Sequence, residues 1–410
     1  MSNIAELLDF SSRNSTFTVL EDVRSLDPVN DILETVRAHL DMDVAFISRQ
    51  VGQTHRVFTH VSANGETELK PGTTNSNDNS LCWLVIKGHL PQRICDVSAY
   101  EAARDLPVTT QLGVGSHFSV PMKRRDGSVH GSLCCYSHQP RPEITERDMR
   151  LLRSAAAIIS DQIESRIEIE EHEKAANQEL DALFEEGALT IYHQPIVEIA
   201  QRRLIGHECL LRRTNRPDES PSALFETAQF AGRRFELEMH AAAHALATLQ
   251  CIGPGQFISI NVSPSTMVHD AFWSLIPHGL ADRLVIELTE NQTISDYGAV
   301  KRAIDRLRNK AWIAIDDVGA GFSGLQHLVE LHPDLLKMDR DLIVGVDEDP
   351  ARRALATAMV QFASETGCAL IAEGVETMKD LQALQNLGII YAQGFALGRP
   401  SHPADWQSER

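Results

Sequence analysis

From residue 188 to the end, short apolar runs recur with helix-length spacers between most of them, and few folds tolerate that rhythm. The runs are LTIYHQPIVEI, RLIGHECLLR, QFISINVS, RLVIELTE, AWIAIDD, DLLKMD, CALIAEG and IIYAQGF. Spacers such as YGAVKRAIDRLRNK and ARRALATAMVQFASETG carry apolar residues at helical intervals. Eight strands alternating with helices predict a closed, TIM-like α/β barrel. The first two runs are joined only by AQRR, too few residues for a helical crossover, so that strand pair is expected to be antiparallel.

The ends of these runs concentrate polar and ionisable residues. Reading each at its C-terminal end gives Glu208, Asn261, Glu287, the adjacent Asp316 and Asp317, Lys337, Glu373 and Gln393. An α/β barrel builds its site at that rim. A single acid after a strand is ordinarily a helix cap or an ion-pair partner, but several acids at one rim repel one another unless cations are bound. Oxygen donors without clustered histidine or cysteine suit magnesium or manganese better than zinc. Two such ions can hold a phosphodiester, activate a water and stabilise a leaving oxygen. A formal net charge of −19 repels polymeric DNA or RNA over most of the surface, so neither is an expected partner, and a phosphate substrate needs local positive charge.

The amino-terminal half has another texture. Residues 27–144 mix a helical stretch, VNDILETVRAHLDM, with the alternating strands VAFISRQ, HRVFTHVS, SHFSVPMKR and VHGSLCCYS, an α+β pattern with an antiparallel sheet. TERD, with Thr145 as N-cap and Asp148 three residues on, starts a long helix. Met149, Leu152, Ala156, Ile159 and Ile163 make an apolar stripe along it. Such a stripe predicts pairing with a second copy, hence a homodimer, in preference to packing on its own domain. The charged run RIEIEEHEKAANQEL completes a rigid connector over residues 145–185, leaving 1–26 as an N-terminal segment and 186–410 as the barrel. The start lacks the basic and apolar blocks of a signal peptide, and no run approaches the roughly 18 apolar residues of a membrane span. A cytoplasmic protein without a membrane partner is expected. Seven cysteines in unpatterned positions fit buried thiols in a reducing compartment.

HECLLR resembles the signature of the EAL family of cyclic di-GMP phosphodiesterases, with cysteine in place of the central alanine. YHQPIVEI, ISINVSP, VIELTEN, IAIDDVGAGFSG, LLKMD, IAEGVET and QGFALGRP stand around it in the family's order, over roughly residues 186–402. The resemblance implies hydrolysis of cyclic di-GMP to linear pGpG with two divalent ions, magnesium or manganese, in each site. It implies one ion on Glu208, Asn261, Glu287 and Asp316, and a second between Asp316 and Asp317 with Glu373 nearby. Lys337 matches the family's lysine beside the attacking water, so Lys337, Glu373 and Glu208 are the implied catalytic residues. Arg212 matches a contact to substrate phosphate, Gln194 and Gln393 match polar groups of the nucleotide pocket, and Glu290 matches the anchor of the loop after the aspartates. That loop departs from the family's DDFGTGYSS, with Val318, Ala320, Phe322 and Gly324, and so loses hydroxyls at 320 and 324 that would partner Glu290. Arg213 also replaces the family's usual tryptophan. None of these departures removes an implied metal ligand, which favours an active enzyme over the alternative, a non-catalytic cyclic di-GMP receptor that signals through a partner protein.

Residues 27–165 resemble a GAF domain, on the strength of NSLCWLVIKGHLPQRICDVSAY and GVGSHFSVPMKRRDGSVHGSLCCYSHQPRPEITERD. The resemblance implies a small ligand of unknown identity and a sensor that regulates the barrel. Cys82 is a candidate there to tether a bilin or sense oxidants, and His117 a candidate to ligate haem. Their surroundings read instead as packing, with Cys82 a core thiol, His117 a strand residue, and Cys134 and Cys135 small apolar fillers.

Overall fold

A computed structural model describes residues 28–406, apart from 52–53, 66, 186, 278, 281, 290–293, 295, 309 and 319–322. The chain divides into two compact units, one reaching to His172 and the other starting at Glu173.

In the first unit, β1 (Val44–Val51), β2 (His55–Ala63), β3 (Thr74–Ser76), β4 (Arg93–Ile94), β5 (Ser116–Lys123) and β6 (Val129–Ser137) form an antiparallel sheet ordered β3-β2-β1-β6-β5-β4. Central β6 is apolar on both faces, and the period of two sorts its residues. Leu133 and Cys135 enter the core beneath the helix Pro28–His39, whereas Cys134 and Tyr136 enter the opposite core with the helix Leu81–Ile86.

The long helix, Glu146–Leu183, begins as its sequence predicts. The Thr145 backbone N–H and hydroxyl both donate to Asp148 Oδ2, at 2.8 and 2.7 Å. Its apolar stripe requires a correction. Met149, Leu152, Ala156 and Ile159 are buried in the first unit's own core against Leu33, Val36 and Phe118, with Ile163 packed at the edge. They are therefore not the surface on which a second copy pairs. The sequence periodicity identifies a buried face but carries no record of which sheet or helix covers it. The exposed large apolar residues of this helix are Leu151, Ile158 and Ile169.

The second unit is a closed eight-stranded barrel. β7 (Leu189–Glu198), β8 (Arg203–Arg213), β9 (Phe257–Val262), β10 (Leu284–Thr289), β11 (Trp312–Val318), β12 (Leu335–Met338), β13 (Ala369–Ala372) and β14 (Tyr391–Gln393) follow one another around it, and β14 returns to β7. β7 is antiparallel to both neighbours and every other pair is parallel. The short AQRR link fixes this reversal. Helices cover the outside by their apolar faces. In Tyr297–Leu307, for example, Val300, Ala303, Ile304 and Leu307 are buried, and the Asp296 side chain caps the start by accepting from Ala299 N–H at 2.9 Å.

The last turns of the long helix belong to this unit. Leu180 and Leu183 join the core outside the strands, Arg213 pairs with Glu179, and Thr214 N–H donates to Ala188 O at 2.9 Å. Among the described residues, no helix is long and apolar enough to cross a membrane.

Candidate active site

Inside the barrel, alternation builds two layers. Ile196, Phe257, Val285, Ala314, Leu335 and Ile371 form an apolar plug. One pleat period further along their strands stand Glu287 above Val285, Asp316 above Ala314, Lys337 above Leu335 and Glu373 above Ile371. Parallel pairing sets Asn261 opposite Glu287, but Asp316 opposite Thr289 and Lys337 opposite Ile371, so the polar positions step along the barrel by one pleat period from Glu287 to Asp316 and from Lys337 to Glu373. The antiparallel partner β7 sets Gln194 opposite Glu208.

Two consecutive aspartates on a regular strand would face opposite sides. Here the β11–β12 register shifts between Ile315 and Val318, and Asp317 adopts φ 56°, in the left-handed region that aspartate tolerates better than most residues. Asp317 N–H donates to Asp316 Oδ1 at 3.0 Å. The irregularity turns both carboxylates to the rim. Their oxygens form two overlapping groups, Glu208 with Glu287 and Asp316, and Asp316 with Asp317 and Glu373, each within 4.8 Å. Asp316 belongs to both.

Lys337 is the positive centre of this ring. Its Nζ lies 2.6 Å from Glu373 Oε1, 2.9 Å from Glu287 Oε2, 3.2 Å from Asp316 Oδ1 and 3.5 Å from Glu208 Oε2. The side chain is 1% exposed. Burial alone would lower its pKa, but the surrounding carboxylates raise it well above the ordinary lysine value. Burial pushes the acids toward their protonated forms: Glu287 rises to about 8 and Asp317 to about 6, and Asp316 and Glu373 also move up. Glu208 is the exception. Burial acts on it too, but Lys337 and hydrogen bonds from Gln393 and Asn261 bring it below its usual range.

Those amides form a second line of contacts. Asn261 Nδ2 donates to Glu208 Oε1 at 3.0 Å, and Gln393 Nε2 donates to Glu208 Oε2 at 2.5 Å and to Gln194 Oε1 at 3.1 Å. Gln393 Oε1 is buried without a protein partner. Backbone geometry locks Gln393 in place. Val375 N–H donates to its carbonyl at 3.0 Å, and a Cβ on the next residue, Gly394, would stand 2.2 Å from Val375 N.

The structure thus gathers Glu208, Glu287, Asp316, Asp317, Lys337 and Glu373 directly, and Asn261, Gln194 and Gln393 through Glu208. Arg212 stands apart. Its Nη1 donates to Leu211 O at 2.8 Å and its guanidinium lies 5.9 Å from the Tyr192 ring, with no ion pair to the cluster among the described residues. Glu290 lies outside the described residues, as do 319–322 of the altered loop.

Sequence reading missed Glu238. This acid, 2% exposed, accepts from Ser263 N–H at 3.0 Å and Ser263 Oγ at 2.6 Å and pairs with Arg234 at 2.7 Å, pinning the turn two residues beyond Asn261. The available signal was an acid on the same helical face as Ala242 and Ala245 in RFELEMHAAAHALA.

Comparison with known proteins now bears on this site. The EAL domain family matches residues 177–400 and the GAF domain family matches residues 27–163. The Blue light- and temperature-regulated antirepressor BluF of Escherichia coli is 31% identical over 209 residues, which are 49% of this chain and 51% of that protein. The probable cyclic di-GMP phosphodiesterase PdeG of Escherichia coli is 29% identical over 52% of this chain and 45% of its own length. A solved EAL enzyme in a cAMP- and cyclic-di-GMP-bound form shares the fold, with TM-score 0.55 and 18% identity over 90% of this chain and 93% of that one. The chain spans about a third to a half of the length of the first curated relatives it matches.

Proposed function

Because this chain belongs to the EAL domain family, we propose that it hydrolyses cyclic di-GMP to linear pGpG with divalent metal, under the control of its GAF domain. The observation that carries the reading is the pair of carboxylate groups that share Asp316. The oxygen donors suit magnesium or manganese. Glu208, Asn261, Glu287 and Asp316 would hold one ion, and Asp316, Asp317 and Glu373 the other. When bound, the ions supply Lewis-acid polarisation of the phosphodiester and an acidified water.

The side chains divide the remaining work. Lys337, fixed by its carboxylate partners, presents a cation to the negative charge that grows on phosphorus-bound oxygen. Glu373, in its ionised form, would take a proton from the attacking water and return it to the departing O3′ as the P–O3′ bond breaks. Glu208, kept ionised by Asn261, Gln393 and Lys337, fixes the site's charge. Arg212 turns from its backbone contact to a substrate phosphate, and Gln194 and Gln393 offer amides to a guanine edge. The orphan Gln393 Oε1 is a buried acceptor suited to such a donor.

In this reading the GAF-like sensor occupies 27–144, the connecting helix 145–185 and the phosphodiesterase barrel 186–410, behind an N-terminal segment 1–26. The protein acts in the cytoplasm as a homodimer that closes on exposed Leu151 and Ile158, one heptad apart. PdeG carries the name of a probable cyclic di-GMP phosphodiesterase, whereas BluF is named an antirepressor, so a non-catalytic receptor is the competing reading.

The test is incubation of the purified chain with cyclic di-GMP and magnesium or manganese, following pGpG by chromatography beside Glu208→Ala. Metal-dependent product that the variant does not form supports the enzyme. Tight binding without product makes the chain a receptor.

A further inference from the structure

A second cluster lies in the GAF unit, apart from the barrel chemistry. Cys82, on the helix Leu81–Ile86, and Cys134, in the middle of β6, are separated by 52 positions in sequence, yet their sulfurs are 2.9 Å apart. Both are buried, and Cys134 S–H donates to Cys82 Sγ. His117 Nε2 lies 3.7 Å from Cys82 Sγ. Cys134 Sγ is also 3.2 Å from Ser119 Oγ and 3.4 Å from Ser132 Oγ.

The hydrogen-bond path continues to a buried cation. Arg56, 2% exposed, donates from Nη2 to Ser132 Oγ at 3.1 Å, and its other bonds go to Ser48 and Gln50. Among the described residues no carboxylate lies within ion-pair distance of it. A buried guanidinium with only neutral partners favours an anion nearby. The cysteine pair is the ionisable group to which its hydrogen bonds lead.

The two thiols are unequal. The hydrogen bond from Cys134 holds Cys82 well below the usual thiol range against burial, helped by His117 and Arg56. Burial and the neighbouring Cys82 push Cys134 well up. One is suited to attack and the other to remain a thiol until needed. Neighbouring Cys135 faces the opposite core, where burial pushes it up to about 12.

Access is selective. Cys82 and His117 line a cavity of about 30 Å³ together with Phe46, Leu69 and Tyr136. At about 10–15 Å³ per water, it admits a molecule of about two heavy atoms and excludes a tripeptide disulfide.

We propose that Cys82 and Cys134 are a peroxide-sensing thiol pair, oxidised to a disulfide by hydrogen peroxide. The Cys82 thiolate attacks one peroxide oxygen, the O–O bond breaks, and the departing hydroxide takes up a proton to leave as water. Cys82 is then a sulfenic acid. Cys134 sulfur attacks Cys82 sulfur, the S–O bond breaks, and the released hydroxide takes the Cys134 proton as a second water. In sum, two thiols and one peroxide give one disulfide and two waters, and two electrons pass from sulfur to oxygen.

Cys82, His117 and Cys134 also have the spacing of a metal site. A tetrahedral zinc site with Zn–S bonds of about 2.3 Å needs its sulfurs about 3.7 Å apart, wider than this pair, and Arg56 would repel a dication. Thiol oxidation fits the geometry and the charge better.

The experiment treats the reduced full-length chain with hydrogen peroxide, counts free thiols after unfolding and maps linked peptides. Of seven thiols, two should disappear together, linked as Cys82–Cys134, and return with a reductant. Cys135→Ser should behave like the parent. Cys134→Ser should stop at a sulfenic acid on Cys82 that dimedone, present as the oxidised chain is unfolded, traps. Glutathione disulfide should leave both thiols free. Peptide mapping of the parent alone decides the matter even if a variant fails to fold. Linkage between other cysteines, an unoxidised pair at peroxide excess, or one zinc per chain protecting both thiols would overturn the proposal.

Discussion

Replacing Lys337 by methionine keeps the volume of the side chain and removes a buried cation that four carboxylates share. Breaking a buried ion pair by deleting one partner costs about 3–5 kcal/mol. Because burial already holds a proton on Glu287, pushed up to about 8, not all four acids are charged at neutral pH, and the lower end, about 3 kcal/mol, applies. For a barrel of this size each kcal/mol moves the midpoint by about 2–4 °C, so the variant in chelator should melt roughly 10 °C below the parent. Three of the four tryptophans, Trp273, Trp312 and Trp406, lie in the barrel unit, so intrinsic fluorescence follows it. Saturating manganese should restore most of the loss by supplying positive charge to the same oxygens, while cyclic di-GMP turnover stays absent. A variant that melts in chelator within about 2 °C of the parent would refute the argument that Lys337 compensates the ring.

Three more outcomes follow from the geometry. Glu287 and Asp317 are raised from ordinary values of 4.5 and 3.8 to about 8 and about 6, so the folded barrel binds more protons than the unfolded chain across that window. Its stability in chelator should therefore fall as pH rises from about 4 to about 8, and divalent metal should flatten the slope; a rising or level profile in chelator contradicts the burial account. Gly394→Ala forces a Cβ to within 2.2 Å of the Val375 backbone nitrogen and should cost roughly 2–4 kcal/mol with weakened substrate binding through displaced Gln393, checked by urea unfolding and KM. Glu238→Gln weakens the acceptor that pins Ser263 and should cost about 1–3 kcal/mol while lowering metal affinity through Asn261, and calorimetry showing unaltered metal binding would remove Glu238 from the site's support.

The parts that follow a period were legible in the sequence. Eight apolar runs gave the barrel, the four residues of AQRR gave the reversed β7, and the polar ends of the runs gave the rim. Asp317 shows where this stops. Adjacent aspartates on a strand should diverge, and only a left-handed backbone at φ 56° brings them together, a choice that composition does not encode. The helix stripe from Met149 to Ile159 was visible as a buried face, but the sheet that covers it draws on three separate strands, through Ile47 of β1, Phe118 of β5 and Leu133 of β6. Cys82 and Cys134 were each readable as core thiols. Their contact depends on the packing of a short helix over β6, a tertiary event with no local signature. Glu238 was hidden for a similar reason, since its partner Ser263 lies on another element.

The reversed β7 has a practical consequence for anyone who recombines such chains. In a barrel whose strands all run alike, the chain enters at the floor and reaches the working rim only after crossing the first strand. Here Leu189 pairs with Arg213, so the chain arrives at the mouth and descends. Whatever is fused upstream is attached at the mouth, through a helix end already clamped by Arg213 to Glu179 and by Thr214 to Ala188. A graft that cuts between residues 173 and 189 removes part of the mouth's own scaffolding. A graft made before 173 keeps that collar and exchanges only the unit that precedes it.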